Sequence, residues 1–438
     1  MFSTQRLSKS FAFSACALLL PSMAHCEDAK VNLHGAAWLQ IGRVERSYTV
    51  PTHEGNNYMK NWMQNAGGLV AADVKMNDNW DAAAGIGVIQ VHLARGNRYH
   101  SNILYPFWVP FVSEARVSYA SPLFSAEDKF KLTLGAFPYN YNNDAKSLGL
   151  YLMHGYVYPG ALVSGFGSLF GGLASYETGR FSNDFIVNIE SEDQPLYDIS
   201  IADVVNVKVA PGFEVGAGVN FYRLIPQNAN LTSPGKDCVV DKDLGFYATK
   251  CFEVDSIGVD ATGNAVYDTV TGTLAGTKLM TRFRVDPKAW MGSAGKLGKD
   301  DLVLYGEAAV IGVKNQGKSY DDILRRLPVM VGFNFPVFGY LDNLSLEVEY
   351  YASKNSSDNL EAMYGSWVPV DDKESDLARD DWKWALCAGK LIAGNMKWTV
   401  QVANDHLRLG GFHDEQTGVE VTTTPNDWYW TTKLAYFF

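Results

Sequence analysis

Beyond its first 20 residues the chain has no run of about 18 apolar residues, so no α-helical membrane span is available to the rest of it. Cysteine is scarce, at 5 in 438 residues, which excludes a disulfide-dense scaffold. Positive charge is also short. The 37 Lys and Arg stand against 48 Asp and Glu, and the formal net charge of -11 argues against nucleic acid as a partner. No Pro/Ser linker, internal repeat or shift in composition divides the chain, although its length would ordinarily suggest two or three soluble domains. What it has in quantity is apolar surface, with 47% hydrophobic and 13% aromatic residues. Two architectures accommodate this: a large soluble all-β protein, or a barrel crossing a membrane on strands whose only signature is alternation.

Residues 1–10 carry Arg6 and Lys9 and no acid, residues 11–20 read FAFSACALLL, and Pro21 precedes small residues. This pattern predicts a secretory signal peptide over residues 1–26, cut after Ala24 or after Cys26, and a single domain over 27–438. His25 before Cys26 is not the small residue that a lipoprotein cleavage site wants. Loss of Arg6 and Lys9 takes the formal charge from -11 to -13.

Period-two alternation predicts strands near 31–43, 67–76, 80–92, 110–120, 129–138, 171–178, 185–191, 198–209 and 214–224. It predicts further strands near 278–286, 301–313, 329–335, 344–352, 382–392, 396–407 and 428–438. The total is about 16, the even number that puts both termini of a bacterial barrel on one side. Long connections follow the odd-numbered strands and short ones the even-numbered strands, a sorting that a soluble sandwich has no reason to show. The expected fold is therefore all-β: a transmembrane antiparallel barrel with short turns at one end and long loops at the other.

Within the strands, charged residues share one face. Lys278, Arg282, Arg284 and Asp286 oppose Leu279, Thr281, Phe283 and Val285, and Glu347 and Glu349 oppose Leu346, Val348 and Tyr350. A wet interior and a lipid-facing exterior produce that alternation. The inward set so defined contains Arg116, Lys131, Lys208, Lys278, Arg282, Arg284, Lys383 and Lys397, against Glu114, Glu190, Glu307, Glu347, Glu349 and Asp405. In a pore such residues bias which solutes pass; otherwise they only keep the wall hydrated. Arg116, Lys131, Lys278, Arg282, Arg284, Glu307, Glu347 and Glu349 are taken as pore-lining candidates. Asp203 breaks the pattern by sharing parity with Ile201 and Val205, which suggests a bulge or a place above the lipid band.

Catalysis and metal binding find little support. Glu347 and Glu349 lie about 6.5–7 Å apart along a strand, but any polar strand face produces such pairs. Asp405 and His406 are adjacent on a strand and so point to opposite faces, and no Ser-His-Asp set is recognisable. The acidic stretch 371–381, DDKESDLARDD, does not match an EF-hand. No enzyme activity, metal or cofactor is expected. Cys238 and Cys251, 13 apart in one long connection, are expected to form a disulfide in an oxidising compartment, worth about 3 kcal/mol in the chain-entropy model. Cys387 is left over as a small buried residue.

The chain closes on WYWTTKLAYFF, residues 428–438, with Trp428, Trp430, Leu434, Tyr436 and Phe438 on one face and Tyr429 and Lys433 on the other. This tail resembles the closing strand of Gram-negative outer-membrane β-barrels. The resemblance implies that Leu434, Tyr436 and Phe438 form a signal read by the barrel assembly machinery. With about 16 strands and a long third connection, the layout resembles the porin family. That implies a cell outer-membrane protein, surrounded by lipid and lipopolysaccharide, passing small hydrophilic solutes or ions passively, with a homotrimer as a further expectation. It also implies that the third connection, residues 139–168, folds inward, bringing Asp144, Lys146, His154 and several tyrosines into a constriction. The stretch departs from porin constriction loops in offering a single acid, Asp144, so either its tyrosines line a weakly charged opening suited to neutral solutes, or they pack the loop onto the barrel wall or lie in the interfacial girdle. A different class of function remains beside it: a surface protein whose long external loops bind polysaccharide or a cell-surface partner.

Overall fold

The computed structural model describes residues 30–47, 61–92, 107–125, 127–153, 168–191, 196–229, 253–259, 265–270, 275–292, 295–313, 323–351, 381–409, 419–422 and 424–438. The signal peptide, His154, Cys238 and Cys251 lie outside the described residues.

Sixteen strands form one closed antiparallel barrel. They are β1 (Lys30–Arg46), β2 (Trp62–Lys75), β3 (Trp80–His92), β4 (Phe107–Ser121), β5 (Lys129–Pro138), β6 (Ser168–Glu177), β7 (Phe181–Ile189), β8 (Ile199–Ala210) and β9 (Phe213–Ile225). The wall continues through β12 (Gly276–Val285), β13 (Leu304–Val310), β14 (Val329–Asn334), β15 (Asn343–Tyr350), β16 (Trp382–Ile392), β17 (Met396–Asn404) and β20 (Trp428–Phe437). Two hairpins stand outside it, β10 (Glu253–Val259) with β11 (Ala265–Val270), and β18 (Arg408–Leu409) with β19 (Val419–Glu420). Alternation did not reveal these, because they lie in connections and share no face with the barrel.

Closure joins β1 to β20, with Ala36 opposite Phe437 and Val44 opposite Tyr429. Phe438 extends the ladder by one step, exchanging backbone hydrogen bonds with Gly35 in both directions at 2.9 and 3.1 Å. Two belts of aromatic residues ring the outer wall. Near the end carrying the long connections, Trp62 meets Trp430 at 6.0 Å and Tyr350 meets Trp382 at 4.8 Å. Near the end carrying the termini, Trp80 meets Tyr119 at 5.0 Å and Tyr436 stacks on Phe438 at 6.2 Å. Between the belts the outward positions include Leu39, Val70, Ile86, Leu134, Val331 and Leu434, all exposed. This is the apolar band with aromatic girdles of a barrel that sits in a bilayer.

Asp203 lies on the outer wall with no bulge beside it; the register shifts of β8 fall at Ile199/Ile201 and Lys208/Ala210. Its carboxylate accepts a 2.6 Å hydrogen bond from Asn183 of β7, a residue that faces the same way. Of the two readings, a bulge or a place above the lipid band, the bulge is not found, and Asn183 supplies a side-chain partner.

Candidate functional site: a loop folded into the lumen

Residues 139–153, which leave the upper end of β5, run inside the barrel to its far wall. Their apolar side packs there: Tyr141, Leu148, Tyr151 and Leu152 join Val204 of β8, Met280 of β12, Tyr305 and Ala309 of β13, and Met330 of β14 in one buried cluster. Burying Leu148 and Leu152 contributes about 1.5–3 kcal/mol each.

Apolar packing alone would leave the loop's backbone amides unpaired in the interior. Two wall carboxylates meet them. Glu347 accepts from the amides of Lys146 (2.6 Å), Ser147 (2.8 Å) and Leu148 (2.9 Å), and from the Tyr305 hydroxyl (2.7 Å). Glu307 accepts from the amides of Leu150 (3.1 Å) and Tyr151 (2.8 Å), the Tyr141 hydroxyl (2.5 Å) and the Asn142 amide (3.1 Å). Between the two runs, Gly149 adopts φ +90°, and a Cβ there would come within 2.6 Å of Met330 Cε. Glycine lets the chain turn from one carboxylate to the next.

Three further ties hold the loop's flanks. Tyr151 donates to Glu349 at 2.6 Å, Asn220 of β9 donates to the Leu152 carbonyl at 2.9 Å, and Arg284 of β12 donates to Asp144 at 3.1 Å. Burial and the adjoining carboxylates push the Tyr141 and Tyr151 hydroxyls well above their ordinary range, so both remain protonated donors. On the other side of Glu349, His406 Nε2 lies 2.6 Å from its Oε1, which links the eighth connection to the same anchor.

The residues singled out from sequence therefore separate into two groups. Glu307, Glu347 and Glu349 do face inward, yet the loop covers them: Glu347 is 1% exposed and Glu307 2%. Lys278 is buried against the Tyr222 ring, and Arg282 is buried in bonds to Glu214 (2.5 Å) and Asn206 (2.7 Å). Asp144 is consumed by Arg284, while Lys146 stays exposed on the loop. Of the tyrosines in this connection, Tyr141 and Tyr151 point into the wall and not into the lumen, and Tyr156 and Tyr158 lie outside the described residues. Asp405 lies just past the end of β17 and is held by the Tyr429 hydroxyl at 2.8 Å. Cys387 is a free, buried thiol beside the Ser147 hydroxyl.

Opposite the loop, inward residues remain accessible. Arg116 of β4 bonds Asp81 (2.6 Å), Glu114 (3.0 Å) and Asp73 (3.5 Å), and Lys131, 43% exposed, reaches Asp81 at 3.3 Å. His34, Asp73 and Glu114 bring ligand-type atoms within 4.8 Å of one another. The Arg116 guanidinium already bridges those carboxylates, a donor set that suits a cation of the chain itself. Asp73, Asp81 and His34 escaped notice in the sequence although their parity places them inward. Asp73 and Asp81 flank the turn at 77–79 on one face, a signal that was available.

No family model and no curated protein sequence matches the chain. Solved structures do match. OprB of Pseudomonas putida aligns with 93% of this chain and 94% of its own at TM-score 0.51 and 11% identity. OmpF of Salmonella typhi, in complex with daunomycin, covers 93% and 98% at 0.47 and 12%. A triple mutant of Rhodopseudomonas blastica porin covers 93% and 100% at 0.42 and 8%. The likeness to OprB concerns the fold. In architecture the chain is a porin-like, 16-strand antiparallel β-barrel.

Proposed function

We propose that the protein is an outer-membrane channel through which small hydrophilic solutes or ions diffuse passively, with residues 139–153 restricting the lumen. The observation that carries this reading is the pairing of an infolded loop, anchored on one wall, with an accessible charged wall opposite it. A barrel that served only to display external loops would gain nothing from committing two buried carboxylates to an internal loop. The two aromatic belts and the apolar band between them support the membrane setting. Residues 1–26 would act as the export signal and Leu434, Tyr436 and Phe438 as the assembly signal. A Cys238–Cys251 disulfide, lipopolysaccharide contacts and a homotrimer belong to the same proposal.

Liposome swelling tests it. Vesicles carrying the refolded protein should swell in isotonic solutions of small sugars at rates that fall as the sugar grows. Vesicles that swell no faster than protein-free controls, while the barrel is shown to be inserted, would remove the reading.

A further inference from the structure

The inward faces of four neighbouring strands, β16, β17, β20 and β1, carry no acidic residue. By register, β16 presents Lys383, Ala385, Cys387 and Gly389, and β17 presents Lys397, Thr399, Gln401 and Ala403. On β20 the inward positions are Tyr429, Thr431, Lys433 and Ala435, and on β1 they are His34, Ala36, Trp38, Gln40, Gly42 and Val44. Lys383 is buried under the eighth connection, bonded to the Thr422 carbonyl. Lys397 and Lys433 are different.

Lys433 sits directly opposite Thr399 on one side and Gln40 on the other, and Lys397 is its diagonal neighbour across the ladder. Their backbones are about 7–8 Å apart, and the side chains lean apart, Lys433 toward Trp38 on β1 and Lys397 toward Gly389 on β16. Neither ammonium group has an acidic partner among the described residues, whereas Arg116, Lys131, Arg282 and Arg284 all do. Beside them, Trp38 lies flat on the wall because its neighbour is glycine: a Cβ on Gly67 would come within 2.5 Å of Trp38 Cζ2. Its indole N–H is satisfied by Asn65 at 2.8 Å, and Lys433 Nζ stands 5.3 Å from the ring centroid. The indole is thus fixed, with one face on the wall and an ammonium group at the other.

We propose that Lys397, Lys433 and Trp38 form a binding site for small organic anions in the lumen, favouring carboxylates that carry a planar ring. Two like charges on diagonal positions repel, and the flexible lysine stems let both ammonium groups turn to a carboxylate placed between them, which relieves that repulsion through charge-assisted hydrogen bonds. Its planar substituent then lies beside an indole already held in place, a contact that acetate lacks. The site's role in permeation rests on the channel reading; its occupancy does not.

Benzoate is the probe, titrated calorimetrically into the refolded full-length barrel, with acetate for comparison. Benzoate should bind more tightly than acetate. The Lys397→Gln/Lys433→Gln variant should lose about tenfold or more in benzoate affinity, Trp38→Leu should bring benzoate down to the level of acetate, and Lys433→Arg should retain binding. Absence of benzoate binding to the wild type, or equal binding by the double variant with its strand content intact, would overturn the site. Benzoate binding by a barrel that conducts nothing would sustain the site and sink the channel.

Discussion

Glu347 and Glu307 show how far a residue's role can depart from its place in a pattern. On their strands each is an ordinary inward acid; in the molecule each is surrounded by donors from the loop. Glu347→Ala would leave three amides and the Tyr305 hydroxyl without their acceptor, weakening the loop's attachment by about 3 kcal/mol. Single-channel conductance should rise and protease should gain access to residues 143–150; unchanged conductance would show that the loop does not restrict flow. The hydroxyl donors make a pH prediction at the same scale. Tyr141 and Tyr151 titrate well above the ordinary value of 10.0, so their neutral forms are favoured in the folded loop. Their contribution is fully present below pH 10 and is lost only as the pH climbs beyond it toward the raised values. Conductance should therefore stay flat from about pH 7 to 10 as far as these groups govern it, and rise only in stronger alkali.

At the scale of elements, strands were legible and their loops were not. Alternation of apolar and polar residues, such as Leu344, Leu346, Val348 and Tyr350 against Ser345, Glu347 and Glu349, records a wall with lipid on one side and water on the other. Every barrel strand carries that record, so even the weakly patterned β6 and β7 could be placed. The loop inside the barrel obeys no period. Its course is set by where Glu307 and Glu347 sit on strands more than 150 residues away, and a linear reading has no access to that pairing. The inward course of the third connection came only as an implication of the resemblance to porins, and neither that nor the residue pattern gave its anchors or the burial of Tyr141 and Tyr151. The terminal strand carries a prediction of its own. Phe438 closes the ladder on Gly35 through two backbone hydrogen bonds, and its ring lies against that residue. Deleting it should reduce the yield of assembled barrel, seen as loss of heat-modifiable migration in gels of the membrane fraction. Full assembly without Phe438 would show that the remaining strand suffices.

Taken whole, the molecule is asymmetric about its lumen. One wall, from β8 to β15, is covered by the infolded loop, which Glu307, Glu347, Glu349 and Arg284 hold, while Arg282 pairs with Glu214 within the wall itself. On β16 the inward residues Lys383 and Cys387 are also covered, by the eighth connection and by Ser147, whereas β2–β5 keep paired acids and bases and β17 and β20 keep Lys397 and Lys433, which have no acidic partner among the described residues. Net charge says nothing of this division, because a formal -11 sums the exterior, the loops and the buried anchors together. The central claim is that a solute path runs between these two walls. Single-channel recording of the refolded full-length protein in a planar bilayer tests it most directly. Discrete, ohmic conductance steps are predicted; a folded, inserted barrel that gives no steps would contradict the account.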